Sequence, residues 1–410
     1  MQLPKIKRFW IFLAILGPGV ISALAGNDAG GTATYSIVGA RFGYHMLWML
    51  VLVGVSLVVI QEMCARMGVV TGKGLSDLIR EEFGLRWTFF AMLILLIANI
   101  AVTISEFAGI AASLEIFGLT RYLSVPIMVM VIWFLMTRGS YKGVERIFFA
   151  MCLVYFAYIF SGFMARPDWA VVFKQTAVPS FQFDMNFILI AIAMIGTTVT
   201  PWMQFYLQSS VVEKGVKIKQ YNYQRWDVIL GSVVAVIIAF FIIIACATVL
   251  HPQGIIVHDA KEAALALQPF AGSYATILFA LGLFASSTLG ASILPLSSSY
   301  AICEAFGWEN GISKKFNEAP IFFGLYTVLI LIGGGVVLLP NLNLINIMVF
   351  SQTTNGILFP FILIFMLLLV NNKRLMGQYV NSKFNNFVAG STALVLILLT
   401  ILLVFSSFIA

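Results

Sequence analysis

Charged residues are what this chain most lacks. Asp, Glu, Lys and Arg make up 10% of its 410 residues, against 61% hydrophobic ones. A soluble domain carries about 25% charged residues, and a chain with so few cannot cover a water-facing surface. Lipid is therefore the expected solvent for most of it, in line with a mean hydropathy of +0.99. Cysteine is scarce too. Cys64, Cys152, Cys246 and Cys303 lie far apart, in or at the end of apolar runs. They show neither the CxxC spacing of a zinc site nor the framework of a disulfide-rich domain. The three histidines, His45, His251 and His258, form no ligand cluster. The net charge of +7 is spread along the chain, so it speaks to topology and not to a nucleic-acid surface. A basic run (Lys5, Lys7, Arg8) leads into an apolar stretch longer than a signal peptide, and a retained first helix is expected there. No loop is long enough for a signalling domain, which argues against a sensor or scaffold.

Long apolar runs are what the chain has in quantity. A membrane-spanning helix needs about 20 mostly apolar residues, and eleven such spans are expected, near 10–38, 45–65, 87–114, 121–138, 146–165, 185–209, 227–250, 273–303, 319–338, 344–371 and 387–409. With the N-terminus inside and the spans alternating, 19 of the 24 Lys and Arg residues fall on the inner side, the bias that orients membrane proteins. A cytoplasmic N-terminus and an outer C-terminus follow, in an integral membrane protein whose expected setting is a bacterial plasma membrane. Eleven divides as five, five and one. An odd-numbered unit followed by its copy enters from the opposite side, as in the inverted repeats of secondary transporters. The expectation is one transmembrane transporter domain over 1–410, with repeats near 10–165 and 185–371 and an extra helix at 387–409.

Two spans carry helix-breaking residues at membrane depth. The first reads LGPGVISALAGNDAGGTATYS, with Gly26, Gly30 and Gly31 around Asn27 and Asp28. Each glycine weakens a helix by about 1 kcal/mol relative to alanine, so an unwound segment is expected. Backbone freed in this way must line a cavity or be buried in protein. The sixth repeats the theme in Gly196, Thr197, Thr198, Val199, Thr200, Pro201, where proline removes an amide donor. Corresponding breaks in the two halves point to a midplane substrate site. Asp28 sets its sign. A carboxylate at the bilayer centre costs about 2.5 kcal/mol or more unless solvated, paired or metal-bound, and the basic residues all cluster at span ends. A bound cation is the expected compensation; the alternative is a protonated Asp28 hydrogen-bonded for packing.

Glu106 is the other acid inside a span, with small neighbours Ser105, Ala108 and Gly109. A proton carrier, a gate residue and a polar packing contact all remain open for it. Glu62, one turn before Arg66, reads as a local ion pair. Gln352, Thr353, Thr354 and Asn355 form a polar run in the tenth span, either a second wall of the site, led by Gln352, or interhelical hydrogen bonds. Ser286, Ser287, Thr288 and Ser297 to Ser299 read as helix-packing residues.

GPGVISALAGNDAGGTAT, ARFGYHMLW, VIQEMCARMGVVTGKGL, SEF, GTTVTPW and SQTTNGILFPF together resemble the NRAMP family of divalent metal transporters over most of the chain. The resemblance implies an all-α membrane fold of the LeuT-like type, two inverted five-helix repeats plus one helix. It implies a metal held by Asp28, by backbone carbonyls of Ala25 and Thr197, by Thr200 where the family has a methionine, and by Gln352. Glu106 matches a glutamate of the family's proton pathway. Ala29 stands for the motif's proline, Gly31 for its ligand asparagine, Trp202 for its histidine, and Thr103 for a frequent acidic residue.

These departures have a direction. Sulfur is a poor ligand for hard ions, so replacing the methionine by Thr200 leaves an all-oxygen set. Mg²⁺ gives up water reluctantly and is usually held by one or two carboxylates, and the missing side chain at Gly31 is expected to leave room for a partly hydrated ion. The pattern resembles the NRAMP-related magnesium transporter branch. The expected function is alternating-access transport of divalent cations, Mg²⁺ and Mn²⁺ favoured, with weak or no proton coupling. The alternatives are a proton-coupled Mn²⁺/Fe²⁺ importer and an amino-acid or organic-cation carrier of the same fold. No enzymatic activity, no cofactor beyond the transported metal and no nucleic-acid partner is expected. The lipid bilayer is the expected surround, and a monomer is compatible with the sequence.

Overall fold

The computed structural model describes residues 17–138, 156–181 and 185–409, and among them every regular element is helical. The basic run at Lys5–Arg8, the start of the first expected span and residues 146–155 of the fifth lie outside the described residues. In chain order the main helices are α1 (Pro18–Leu24), α2 (Ala29–Phe42), α3 (Leu47–Thr71), α4 (Leu75–Glu115), α5 (Arg121–Arg138), α6 (Phe156–Met164) and α7 (Trp169–Ala177). They continue as α8 (Met185–Thr198), α9 (Pro201–Glu213), α10 (Tyr221–Val249), α11 (Ala275–Phe306), α12 (Pro320–Val337), α13 (Leu344–Val370) and α14 (Lys383–Ile409).

Nine continuous segments among the described residues are long and apolar enough to cross a membrane, with α8 and α9 taken together as one. The first expected span is the two half-helices α1 and α2, each too short to cross alone, and the fifth is represented by α6. The helix ends fall within a few residues of the expected spans, except for α4. That helix begins twelve residues before the expected start at 87, because an amphipathic segment, residues 75–83, joins the apolar run through Gly84. Gly84 has φ 78°, a backbone conformation that glycine reaches without strain. At about 1.5 Å per residue the whole element is twice the thickness of a hydrocarbon core, so its first turns extend out of the apolar layer.

Helix α4 lies at the centre, packed on α11, α12 and α13, while α10 carries α1, α2 and α3 on one side. Helices α5 and α14 are peripheral, with 28% and 22% of their apolar windows buried against 78% for α3, so their exposed leucines and phenylalanines face lipid. Polar side chains of α11 turn inward as packing groups. Ser286, Ser287 and Thr288 donate to carbonyls one turn back, Ser299 does the same, and Ser297 reaches the Trp202 carbonyl on α9 (3.0 Å).

At the end of α3 the Glu62–Arg66 pair forms (3.3 Å), but it is not only local. Arg66 also donates to the carbonyls of Tyr379 (2.8 Å) and Val380 (3.0 Å) and to Asn381 Oδ1 (2.5 Å). Tyr221 donates to Glu62. The network therefore ties α3 to the start of α10 and to the connection before α14.

Candidate functional site

The break between α1 and α2 is built by its own residues. Gly26 N–H and Asn27 N–H turn back onto the carbonyls of Ala23 (3.2 Å) and Leu24 (3.0 Å), which closes α1. Asn27 Nδ2 donates to the Ala235 carbonyl of α10 (3.1 Å) and so pins the turn. Asp28, extended at ψ −171°, starts α2 as its N-cap, with Oδ1 accepting from Gly31 N–H at 2.6 Å; Asp is among the residues that best fill that position. Because Asp28 begins the second half-helix, the unwound stretch is shorter than the glycine run suggests. Gly26 lies in it, whereas Gly30 and Gly31 are already in the first turn of α2. Their lack of a side chain serves close approach: a Cβ on Gly30 would land on the Gln352 side chain. One on Gly31 would sit 2.7 Å from the Gly26 carbonyl oxygen and 3.0 Å from Thr197 Oγ1. The space expected at Gly31 is thus filled by the opposing backbone and a hydroxyl.

The second break separates α8 from α9 at Val199 and Thr200. Pro201 is the first residue of α9, where its fixed φ suits a helix start and its missing N–H leaves no bond unmade. Thr200 precedes it as N-cap without a side-chain capping bond, and its Oγ1 is buried with no hydrogen-bond partner.

Around Asp28 the structure gathers Gln352, Glu106 and Thr197, all 0% exposed. Gln352 Nε2 donates to both carboxylate oxygens (3.1 and 3.4 Å), while its Oε1 accepts from Asn355 Nδ2 (3.0 Å). Thr197 Oγ1 lies 3.5 Å from the Gly26 carbonyl. Of the polar run in α13, Gln352 and Asn355 turn to the site, and Thr354 is half-buried with its hydroxyl on the Phe350 carbonyl. Glu106 Oε2 accepts from Ala29 N–H (3.3 Å), and its carboxyl meets that of Asp28. Two buried carboxyls in contact require a proton or a cation between them. No Lys or Arg makes an ion pair with either among the described residues. Ala25 ends α1, three residues from Asp28, and none of the hydrogen bonds closing that end uses its carbonyl. Among the described residues Thr200 makes no side-chain hydrogen bond to the Asp28 cluster.

Sequence reasoning missed three features. Glu106 sits directly over the break through the Ala29 amide, a juxtaposition visible in the sequence only as a proline-motif position able to donate an N–H. A thioether does touch the break: the Met203 methyl lies against Gly26, and its sulfur accepts from Gln61 Nε2 (3.6 Å). One cavity adjoins the site and a second lies farther along α4. The first, of ≈ 10 Å³, lined by Gly26, Asn27, Tyr35 and Thr198 among others, is the size that holds a single water. A wider one of ≈ 380 Å³ opens between Glu115, Arg121, His258, Asp259 and Lys261, roughly 13 Å along α4 from Glu106.

Comparison with known proteins places these observations. Residues 19–406 match the family described as natural resistance-associated macrophage protein-like, Nramp. A Bacillus subtilis protein named divalent metal cation transporter MntH is 26% identical over 415 residues, covering 98% of this chain and 95% of its own length. A Clostridium acetobutylicum protein of the same name is 28% identical, with 97% and 91% covered. The fold matches a crystal structure of the manganese transporter of Eremococcus coleocola with a TM-score of 0.78 at 20% identity, covering 97% of this chain and 88% of that one. A nucleobase-cation-symport-1 family transporter is similar at a TM-score of 0.58 and 12% identity, with 95% and 93% covered.

Proposed function

The chain belongs to the Nramp family and has its all-helical, LeuT-like fold, and from that premise we propose that it carries divalent metal cations across a membrane by alternating access, with Mg²⁺ and Mn²⁺ favoured and with little or no proton coupling. The observation that carries the reading is the buried Asp28–Glu106 carboxyl pair at a helix break, with no basic side chain in an ion pair to it among the described residues. The cation that completes the pair is the cargo. Asp28 supplies the charge, the Ala25 and Thr197 carbonyls and the Gln352 amide supply neutral oxygen, and Thr200 offers a hydroxyl in place of a soft donor. Gln352 now presents its NH₂ to the carboxylate. On binding metal it turns its oxygen inward, an exchange that the Asn355 amide partner can accommodate by donating elsewhere. Glu106, held by the Ala29 amide, is the gate-side carboxyl.

An all-oxygen set suits ions that resist sulfur, and one or two carboxylates are what Mg²⁺ is usually held by. Weak coupling follows from Thr103 and Trp202 standing at positions where the family has titratable residues. The rocking units proposed are the repeats near 10–165 and 185–371, with α14 outside them, an inner N-terminus, an outer C-terminus and a bacterial plasma membrane as the setting. The wider cavity at Glu115 is the entry proposed on the outer side.

One observation favours a second reading, a softer-metal importer for Mn²⁺ or Fe²⁺ that is proton-coupled. Met203 brings a sulfur to the edge of the break, and the structurally similar Eremococcus coleocola protein is a manganese transporter. Uptake into proteoliposomes separates the two. Competition of millimolar Mg²⁺ against Mn²⁺ uptake, without acidification of the interior, supports the first reading; no competition together with acidification supports the second. Thr200→Met is expected to shift preference toward Mn²⁺ and Cd²⁺, and an unchanged selectivity profile removes the argument from ligand softness.

A further inference from the structure

Asp227 takes no part in the site, yet it is 0% exposed and forms no ion pair with Lys or Arg among the described residues. It lies in the second turn of α10 and spends both oxygens on the start of α1. Oδ1 accepts from Gly17 N–H (3.0 Å) and Val20 N–H (3.4 Å), and Oδ2 from Gly19 N–H (2.7 Å) and Gln224 Nε2 (2.9 Å). Pro18, the residue between, has no N–H to offer, so one carboxylate satisfies every amide donor from Gly17 to Val20. Such bonds to an ionised acceptor are roughly twice as strong as neutral ones, and the charge also complements the positive end of the half-helix. A capping residue normally belongs to the helix it caps; this cap comes from an element more than 200 residues away and therefore fastens one helix to another.

The backbones of α1 and α10 meet here without interdigitating side chains. A Cβ on Gly19 would sit 2.7 Å from Val228 Cα, and one on Gly231 would sit 2.6 Å from Val20 Cα. On its other face α1 makes neutral hydrogen bonds among the described residues, Ser22 Oγ to the Met203 carbonyl (3.4 Å) and Gln61 Nε2 to Ser22 Oγ (3.3 Å). At its far end α1 runs into the break at Ala25–Asp28. It is thus a seven-residue rod with a hinge at the site and its strongest fastening at Asp227.

We propose that Asp227 is the positioning residue that latches α1 over the metal site, and that its release lets α1 swing on the break and opens the site at that end. The role in transport rests on the reading of Asp28 as the cargo site; the latch itself does not.

The test is thiol labelling of the full chain in detergent by a water-soluble maleimide, with the four native cysteines replaced by alanine and Ser22→Cys as reporter on the buried face of α1. Asp227→Asn is expected to speed labelling about tenfold or more, the factor that corresponds to one weakened charge-assisted bond. Gly231→Ala, which keeps every polar group but wedges the two backbones apart, is expected to do the same and decides the matter where Asp227→Asn does not fold. A chain retaining Cys246 alone, buried on α10, is the control and should label at the parent rate. Unchanged labelling of Ser22→Cys, or an equal rise at Cys246 that marks general loosening, overturns the proposal. In proteoliposomes Asp227→Asn should also lower the maximal rate of Mn²⁺ uptake severalfold, and parental kinetics would overturn the role in transport. Full uptake by Asp28→Ala would remove the cargo site while leaving the labelling result intact.

Discussion

Replacing Gly356 by alanine tests how tightly the second wall of the site is set. Gly356 is one turn beyond Gln352 on α13, where that helix crosses α8. An added Cβ would sit 2.5 Å from the Ile192 carbonyl oxygen and 2.7 Å from Ile192 Cγ2. The same crossing is tight from the other side, since a Cβ on Gly196 would meet the Gln352 carbonyl. Ordinary contact needs about 3.4 Å or more, so α13 must retreat by roughly 0.9 Å, because a close-packed interior has no slack to absorb it. Gln352 Nε2 stands 3.1 Å from Asp28 Oδ1, and that retreat takes it beyond hydrogen-bond range. Overpacking of this kind costs about 1–3 kcal/mol, partly offset by the gain of about 1 kcal/mol from replacing a helical glycine. The fold should therefore survive while the wall of the site moves. The expected result in proteoliposomes is a rise of about tenfold in the Mn²⁺ concentration at half-maximal uptake, the equivalent of about 1.4 kcal/mol, with Tm lowered by a few degrees or less. Gly335→Ala is the control, since nothing lies within 4 Å of its Cβ position, and it should leave uptake unchanged. Parental half-saturation in Gly356→Ala would refute the inference that the α8–α13 crossing sets Gln352 against Asp28.

Three further outcomes follow. Ala29→Pro should fold, because Asp28 is extended and the first helical position accepts proline, yet it deletes the amide that holds Glu106. In a double-mutant cycle, Glu106→Ala should then cost about 1 kcal/mol less stability than in the parent, and additive effects would contradict the contact. Met203→Leu should leave the half-saturation of Mg²⁺ and Mn²⁺ uptake within about twofold, since the sulfur is engaged by Gln61 and the swap conserves volume; a loss confined to Mn²⁺ would favour the softer-metal reading. Arg66→Ala strips a buried pair and two carbonyls of their partner and should destabilise the protein by about 3 kcal/mol or more, whereas a loss under about 1 kcal/mol in a denaturation assay would contradict the network.

The spans were legible because a membrane selects for apolar length, which is a property of the chain read in one dimension. Asp28 was legible for the same reason: a carboxylate flanked by glycines at membrane depth has few physical excuses. Gln352 and Glu106 were visible as polar residues in the wrong solvent, but not their partners. Which face of α13 meets α2 depends on Gly30, Gly196 and Gly356, whose short range of approach leaves no periodic trace. Asp227 was overlooked because it stands at a helix end, where an acid is ordinary, and its partners are amides more than 200 residues back. The start of α4 leaves no trace in the apolar runs because its first turns are amphipathic. The room expected at Gly31 was inferred from a missing side chain, whereas the two half-helices close up until the Gly26 carbonyl and the Thr197 hydroxyl fill that space.

The most direct test of the account is Mn²⁺ uptake by Asp28→Ala in proteoliposomes carrying an internal pH dye, with Mg²⁺ as competitor in the parent. Asp28→Ala is expected to abolish uptake, while the parent transports Mn²⁺, is inhibited by millimolar Mg²⁺ and leaves the internal pH steady. Full uptake by Asp28→Ala would contradict it outright.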